Sequence, residues 1–150
     1  GALAAKKADR TLLGGTISAY IHANKEVGSM VVLRSETDFV SKNEAFAALA
    51  KEIALQVAAT SPLYVKREDI PKADLKKIEE SFEKDVAGKP DNLKKTIRAG
   101  KVDAYLKNLV LLEQPYIKDD TKTVRDLLDE AVHKFGERIE VEKFIRFSTR

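Results

Sequence analysis

The chain has no cysteine, so neither a disulfide framework nor a thiolate metal site is open to it. Histidine is almost as scarce: His22 and His133 lie far apart in sequence, and no thiol is present to complete a site with either. A Gly-rich phosphate loop ending in Gly-Lys-Ser/Thr is missing, which argues against direct GTP binding. No apolar run approaches the roughly 20 residues of a membrane span. No stripe of basic residues interleaved with aromatics occurs either. Acids and bases alternate along helical patterns, and the net charge of +3 is mild, so direct nucleic-acid binding is not expected. The lack of a signal-type segment is compatible with a cytosolic setting. An enzyme requires a nucleophile with its base, a carboxylate pair in a cleft, or a metal cluster. None is visible, so no catalytic residue, metal ligand or cofactor is assigned. The neighbours Asp119 and Asp120 lack the spacing of a calcium loop and read as a solvated turn.

What is present is a globular composition, 43% hydrophobic and 34% charged over 150 residues. Residues 1–14 read as a linker helix remnant carrying Lys6, Lys7 and Arg10 and ended by Gly14-Gly15. Residues 15–150 read as one domain. Alternating apolar runs at Thr16 to His22 and Val27 to Ser35, joined by Ala23 to Glu26, predict a hairpin. The run Met30 to Leu33 predicts a central strand buried on both faces. Ser41-x-x-Glu44 has the form of a capping box, and Phe46, Leu49, Ala50, Ile53, Ala54, Val57 and Ala58 predict a helix over 42–59, stopped by Thr60-Ser61-Pro62.

Pro71 opens a helical pattern through Leu75, Ile78, Phe82 and Val86, broken at residues 87–90. A second pattern follows through Leu93, Ile97, Val102, Leu106 and Val110, with an interruption expected at Gly100, so the two pieces form a helical hairpin. Tyr116-Ile117 reads as a short extended piece and residues 119–122 as a turn. Thr123-x-x-Asp126 then caps a last helix closed by Gly136, with His133 half-buried or capping near its end. Ile139, Val141, Phe144, Ile145 and Phe147 predict a final strand. The fold class is therefore α+β: an antiparallel three-stranded sheet with helices packed on it and a helical hairpin insertion.

One stretch, Ser35 to Asn43, joins the central strand to the long helix. Asp38 and Phe39 fall where the strand pattern has ended and the helix pattern has not begun, so both belong to a solvent-facing turn. A phenylalanine there is either folded under the turn, which burial statistics favour, or offered to a partner. His22, beside Tyr20 at the rim of the sheet, reads from the residues alone as an ordinary surface histidine.

These residues also carry a resemblance. Tyr20-Ile21-His22, Val27 to Leu33 and Glu36-Thr37-Asp38-Phe39-Val40 are similar to the core of the translation elongation factor Ts family, guanine nucleotide exchange factors for elongation factor Tu. Ala87-Gly88-Lys89-Pro90, Ala99-Gly100-Lys101, Leu111 to Tyr116, Val124 to Leu128 and Gly136-Glu137-Arg138-Ile139 continue it in the family's order and spacing. The resemblance implies a bacterial cytoplasmic protein, or one from an organelle of bacterial descent, that binds elongation factor Tu in its GDP-bound and nucleotide-free states. It also implies the site: Thr37, Asp38, Phe39 and Val40 enter the partner's GTPase domain, with Phe39 as a wedge beside switch II, while His22 acts near the phosphate-binding loop. A homodimer through the sheet edge and the last strand is a further expectation. The competing reading is a basic RNA- or ribosome-binding domain without exchange activity. Two departures stand out: Gly14 where many members have glutamate, and Ser35 where cysteine is common, neither expected to touch the Phe39 wedge. The family's small N-terminal helical module has no counterpart in these residues, which leads to the expectation of weaker partner binding.

Overall fold

The computed structural model describes residues 1–150. Its elements run α1 (Ala2–Lys6), β1 (Gly14–Ile21), β2 (Val27–Ser35), α2 (Asp38–Ser41), α3 (Glu44–Thr60), α4 (Lys72–Ser81), α5 (Glu83–Val86), α6 (Asp91–Leu109), β3 (Pro115–Tyr116), β4 (Asp119–Thr123), α7 (Val124–Phe135) and β5 (Ile139–Ser148). The class is α+β, as the sequence patterns predict. The chain divides into two compact units, residues 1–61 with 115–150 and residues 62–114.

The first unit is built on an antiparallel sheet of order β1-β2-β5, with β2 central as expected. Val31 and Leu33 of β2 are fully buried, and α3 packs across the sheet. Phe46, Ala50, Ile53, Ala54 and Val57 recur at three- and four-residue spacing on one face of α3, and each is fully buried. The alanines let the helix approach closely enough for Ser29 Oγ of β2 to donate to the Ala54 carbonyl at 2.5 Å. Each large apolar side chain on this seam contributes about 1.5–3 kcal/mol by leaving water. β2 is not buried on both faces. Met30 is 47% exposed, and Ile17, Ile21, Ile145 and Phe147 beside it are also open, because the helices cover one face of the sheet and leave the other bare.

The start of α3 also differs from expectation. Ser41 does not cap it; Asn43 does, accepting from the Ala45 amide at 2.8 Å. Ser41 instead closes the separate one-turn helix α2. α3 ends at Ser61, which takes the left-handed conformation at φ 53°. α7 follows the predicted pattern, with reciprocal Thr123 and Asp126 capping bonds and Gly136 at φ 70°. His133 is exposed. Residues 119–122 are not a turn but most of β4, paired with β3; their polar composition hides an edge strand. α1 is shorter than the expected linker helix and packs on α7, while Gly14 and Gly15 are the first residues of β1.

In the second unit α4 and α6 form the predicted hairpin, closed over a small core of Ile70, Val102, Leu106 and Val110. α6 runs through Gly100 without interruption. Glycine costs a helix about 1 kcal/mol relative to alanine, and the packed Val102 and Leu106 offset it. Arg67 clamps this unit with a two-pronged pair to Glu113 and a contact of 2.9 Å to Asp103.

Two side chains of α3 hold the β3 segment of the first unit. Gln56 imitates a neighbouring strand: its amide donates to the Pro115 carbonyl at 3.1 Å and its carbonyl accepts from Ile117 N at 3.0 Å. Glu52 accepts from Tyr116 Oη at 2.8 Å and pairs with Lys118 at 2.7 Å. Burial, then the bond to Glu52, pushes the Tyr116 phenol from 10.0 up to about 12. Burial opposes ionisation of Glu52, but the bonds from Lys118 and Tyr116 outweigh it and hold the carboxyl below its ordinary range. The lowered Glu52 pKa means stability present above the ordinary value of 4.5 and lost as pH falls through the depressed one. The raised Tyr116 pKa means stability present below 10 and lost as pH rises through about 12. Replacing Glu52 with glutamine is expected to move the latest tyrosinate transition in an ultraviolet titration down from about 12, leaving the part that burial supplies, and to flatten the acid limb of the stability curve. An unchanged titration would show that the contact does not persist in solution.

Candidate functional site

The sequence motif Thr37 to Val40 forms the end of the first unit where β2 runs out. Thr37 is extended (φ −127°, ψ 156°) and caps α2, its hydroxyl accepting from the Val40 amide at 3.3 Å. Asp38 and Phe39 are therefore not in a loose turn but in the first half of a one-turn helix. Val40 and Ser41 face inward and are buried, so Asp38 and Phe39 face out. Phe39 is 88% exposed, not folded under the turn as burial statistics favour. Asp38 is exposed, and its carboxylate makes no ion pair.

A four-residue helix does not hold itself together, since nucleation fixes several dihedrals for one hydrogen bond. The surroundings hold it. The Thr37 carbonyl accepts from Ser35 Oγ at 2.8 Å, and a Cβ at Gly14 would sit 2.3 Å from the same oxygen. Gly14 and Ser35 thus meet at the Thr37 carbonyl, at the base of the turn and not at the Phe39 ring: glycine leaves the space into which the carbonyl settles, and the serine hydroxyl donates to it. Glu137, at the far end of the first unit in sequence, accepts from Thr37 N at 3.0 Å and from Thr37 Oγ1 at 2.7 Å. Glu36 reciprocates by accepting from Arg138 N at 2.8 Å.

His22 lies elsewhere. It follows the opposite end of β1, its amide bonded to the Val27 carbonyl and its Nδ1 2.9 Å from Tyr20 Oη. The eight residues of β1 separate it from the turn, a distance of roughly 25 Å at about 3.3 Å per residue. Thr37, Asp38, Phe39 and Val40 are brought together; His22 is not with them, and it is exposed at the other rim. Sequence reasoning assigned no role to Glu36 or Glu137. The signals are that each lies within two residues of a strand end and inside a motif that carries the family resemblance, neither of which reveals a partner some hundred residues away.

The family model described as elongation factor TS matches residues 3–150 of this chain. The chain belongs to the elongation factor Ts family. Curated relatives of that name include proteins from Maridesulfovibrio salexigens, 45% identical over 98% of this chain and 72% of the relative, and Thermodesulfovibrio yellowstonii, 45% identical over 97% and 73%. A third, from Thermotoga petrophila, is 44% identical over 97% of this chain and 73% of the relative. The family places the chain among the elongation factors of protein biosynthesis. No helix is long and apolar enough to cross a membrane.

Within an elongation factor Ts, a phenylalanine kept in water on a braced turn contributes little to the fold. Phe39→Ala is expected to change unfolding free energy by no more than about 0.5 kcal/mol, as for other surface substitutions. A denaturant titration checks this, and a loss of several kcal/mol would mean that the ring is buried in solution.

Proposed function

We propose that this chain is a guanine nucleotide exchange factor for elongation factor Tu and that it docks through the exposed end of α2. The observation that carries the reading is the 88% exposure of Phe39 on a turn fixed by capping and side-chain bonds. The ring enters an apolar pocket beside switch II of the GTPase. Asp38, unpaired in the free protein, offers its carboxylate to groups that otherwise order the nucleotide's magnesium. Thr37, exposed beside them, flanks the contact, while Val40 is buried beneath it and seats the turn on the first unit.

Losing the ion weakens GDP, because it neutralises charge between phosphates and protein. His22, at the other end of β1, contacts a second region of the partner, near the phosphate-binding loop, where amide donors hold the β-phosphate. No bond is made or broken. The factor binds the nucleotide-poor partner more tightly than the GDP-bound one, and linkage makes the effect reciprocal. Each tenfold in release needs only about 1.4 kcal/mol off the barrier, and a buried interface aromatic supplies about 2 kcal/mol or more. The setting is the bacterial cytoplasm or an organelle of bacterial descent, where this GTPase works.

Release of a fluorescent GDP analogue from elongation factor Tu tests the reading. The chain is expected to accelerate release, Phe39→Ala to lose at least tenfold of that acceleration, and moderate salt to change it little. A variant as active as the parent overturns the wedge. RNA affinity that falls steeply with salt and ignores Phe39 would favour the RNA-binding alternative.

A homodimer is the second reading, favoured by the bare face of the sheet. Ile17, Ile21, Met30, Ile145 and Phe147 are exposed on it, and Ile21, Gly28, Met30 and Phe147 line an apolar hollow of about 370 Å³. A second copy offers the same apolar hollow across a two-fold axis, with Lys25 and Glu26 at its rim able to pair with their opposites. Light scattering over a range of concentrations is expected to show a mass rising toward twice 16.7 kDa, and Ile145→Lys to abolish the rise. A constant monomer mass sinks the idea.

A further inference from the structure

We infer that Glu137 is a positioning residue for the Phe39 turn, acting through Thr37. The inference rests on the proposed docking of that turn. The β2–β5 ladder ends at the pair Ser35 and Ile139. Beyond it the two backbones part, yet the pairing continues through side chains. Glu137 takes the Thr37 amide at 3.0 Å, and Glu36 takes the Arg138 amide at 2.8 Å. Each carboxylate satisfies the backbone donor that the lost strand partner leaves open.

Glu137 does a second thing that Glu36 does not. Its other oxygen accepts the Thr37 hydroxyl proton at 2.7 Å, and the same hydroxyl oxygen accepts from Val40 N at 3.3 Å. A threonine hydroxyl has one proton and two lone pairs. By taking the proton, Glu137 turns a lone pair toward Val40, so the carboxylate sets the polarity of the cap. The resulting chain, from Glu137 through Thr37 to Val40 N, steadies the turn on either side of Asp38 and Phe39. Glu137 is half-buried and makes no ion pair, so its charge is directed at these two donors.

The consequence is preorganisation. Without Glu137 the one-turn helix frays in the free protein, and only the fraction still folded is competent to dock, which raises the apparent dissociation constant by the inverse of that fraction. Once docked, the turn is the same as before. Loss of Glu137 therefore raises the concentration of factor needed for half-maximal GDP release while leaving the plateau rate intact. Loss of the Phe39 ring lowers the plateau.

Glu137→Ala and the milder Glu137→Gln separate these effects. The alanine variant is expected to raise the half-saturating concentration about fivefold at an unchanged plateau, with glutamine, which keeps one acceptor, in between. Hydrogen exchange of the free protein is expected to accelerate at the Val40 and Ser41 amides, with the interior of α3 unaffected. A plateau that falls at constant half-saturation overturns the proposal, as does unchanged protection of Val40 in the alanine variant. If Phe39→Ala exchanges nucleotide as well as the parent, the docking reading fails, and the brace is then judged on the amide exchange alone.

Discussion

The pairing of β2 with β5 is the constraint on which the rest of the first unit depends. It joins segments about a hundred residues apart in sequence, placing Val31 opposite Phe144 and Ser35 opposite Ile139. Without it β2 has one neighbour, and a two-stranded hairpin is marginal in water. With it, β2 becomes central, its inner face is fixed against α3, and its end is carried up to Glu137 and Arg138. The ladder slips by one residue between Val32 and Leu33. That bulge resolves a conflict of parity: Phe144 and Val141 both belong to the helix-covered face, yet they stand three positions apart, and strict alternation would drive Glu142 inward instead. Opposing two residues of β5 to one step of β2 lets Glu142 out, and its carboxylate lies 3.7 Å from Arg34.

Much of this was legible in the residues. The spacing of Phe46, Ala50, Ile53 and Val57 on α3, the Thr123 and Asp126 box of α7, the closing Gly136 and the three-strand sheet all follow from local periodicity and capping chemistry, where each signal lies within a few residues of its effect. What was not legible depends on distance or on count. The apolar run Met30 to Leu33 reads as buried on both faces, but whether a second layer of helices exists to cover Met30 is a property of the whole chain. Residues 119–122 look like a turn because an exposed edge strand needs no apolar face. Ser41 and Asn43 are both good caps, and only the break between α2 and α3 decides which one is used.

The candidate site divides in the same way. Asp38 and Phe39 are marked by their position between two periodicities, and Thr37 by its capping chemistry. The parts that make the turn rigid are invisible locally. Glu137 follows a helix-ending glycine in a motif that names no partner for it, and nothing local sets Gly14 and Ser35 against the Thr37 carbonyl. The supporting shell of a site is assembled by topology, so it is the part a single sequence conceals best.

An exposed aromatic ring on a rigid base has a physical logic. Burying Phe39 within its own fold would add about 2 kcal/mol of stability; keeping it in water forgoes that sum, which the proposed docking would release on contact with the partner. The gain is usable only if ordering the turn does not consume it. Fixing a residue's backbone costs about 1–2 kcal/mol, and four residues of α2 ordered at the moment of docking would cancel a single wedge. The bonds from Thr37, Ser35 and Glu137 meet that cost at folding instead, drawing on the stability of the sheet. An exchange factor needs a difference of only a few kcal/mol between two states of its partner. On the proposed docking, a ring ordered in advance would deliver its burial energy to that difference, whereas one on a floppy turn would lose it to ordering.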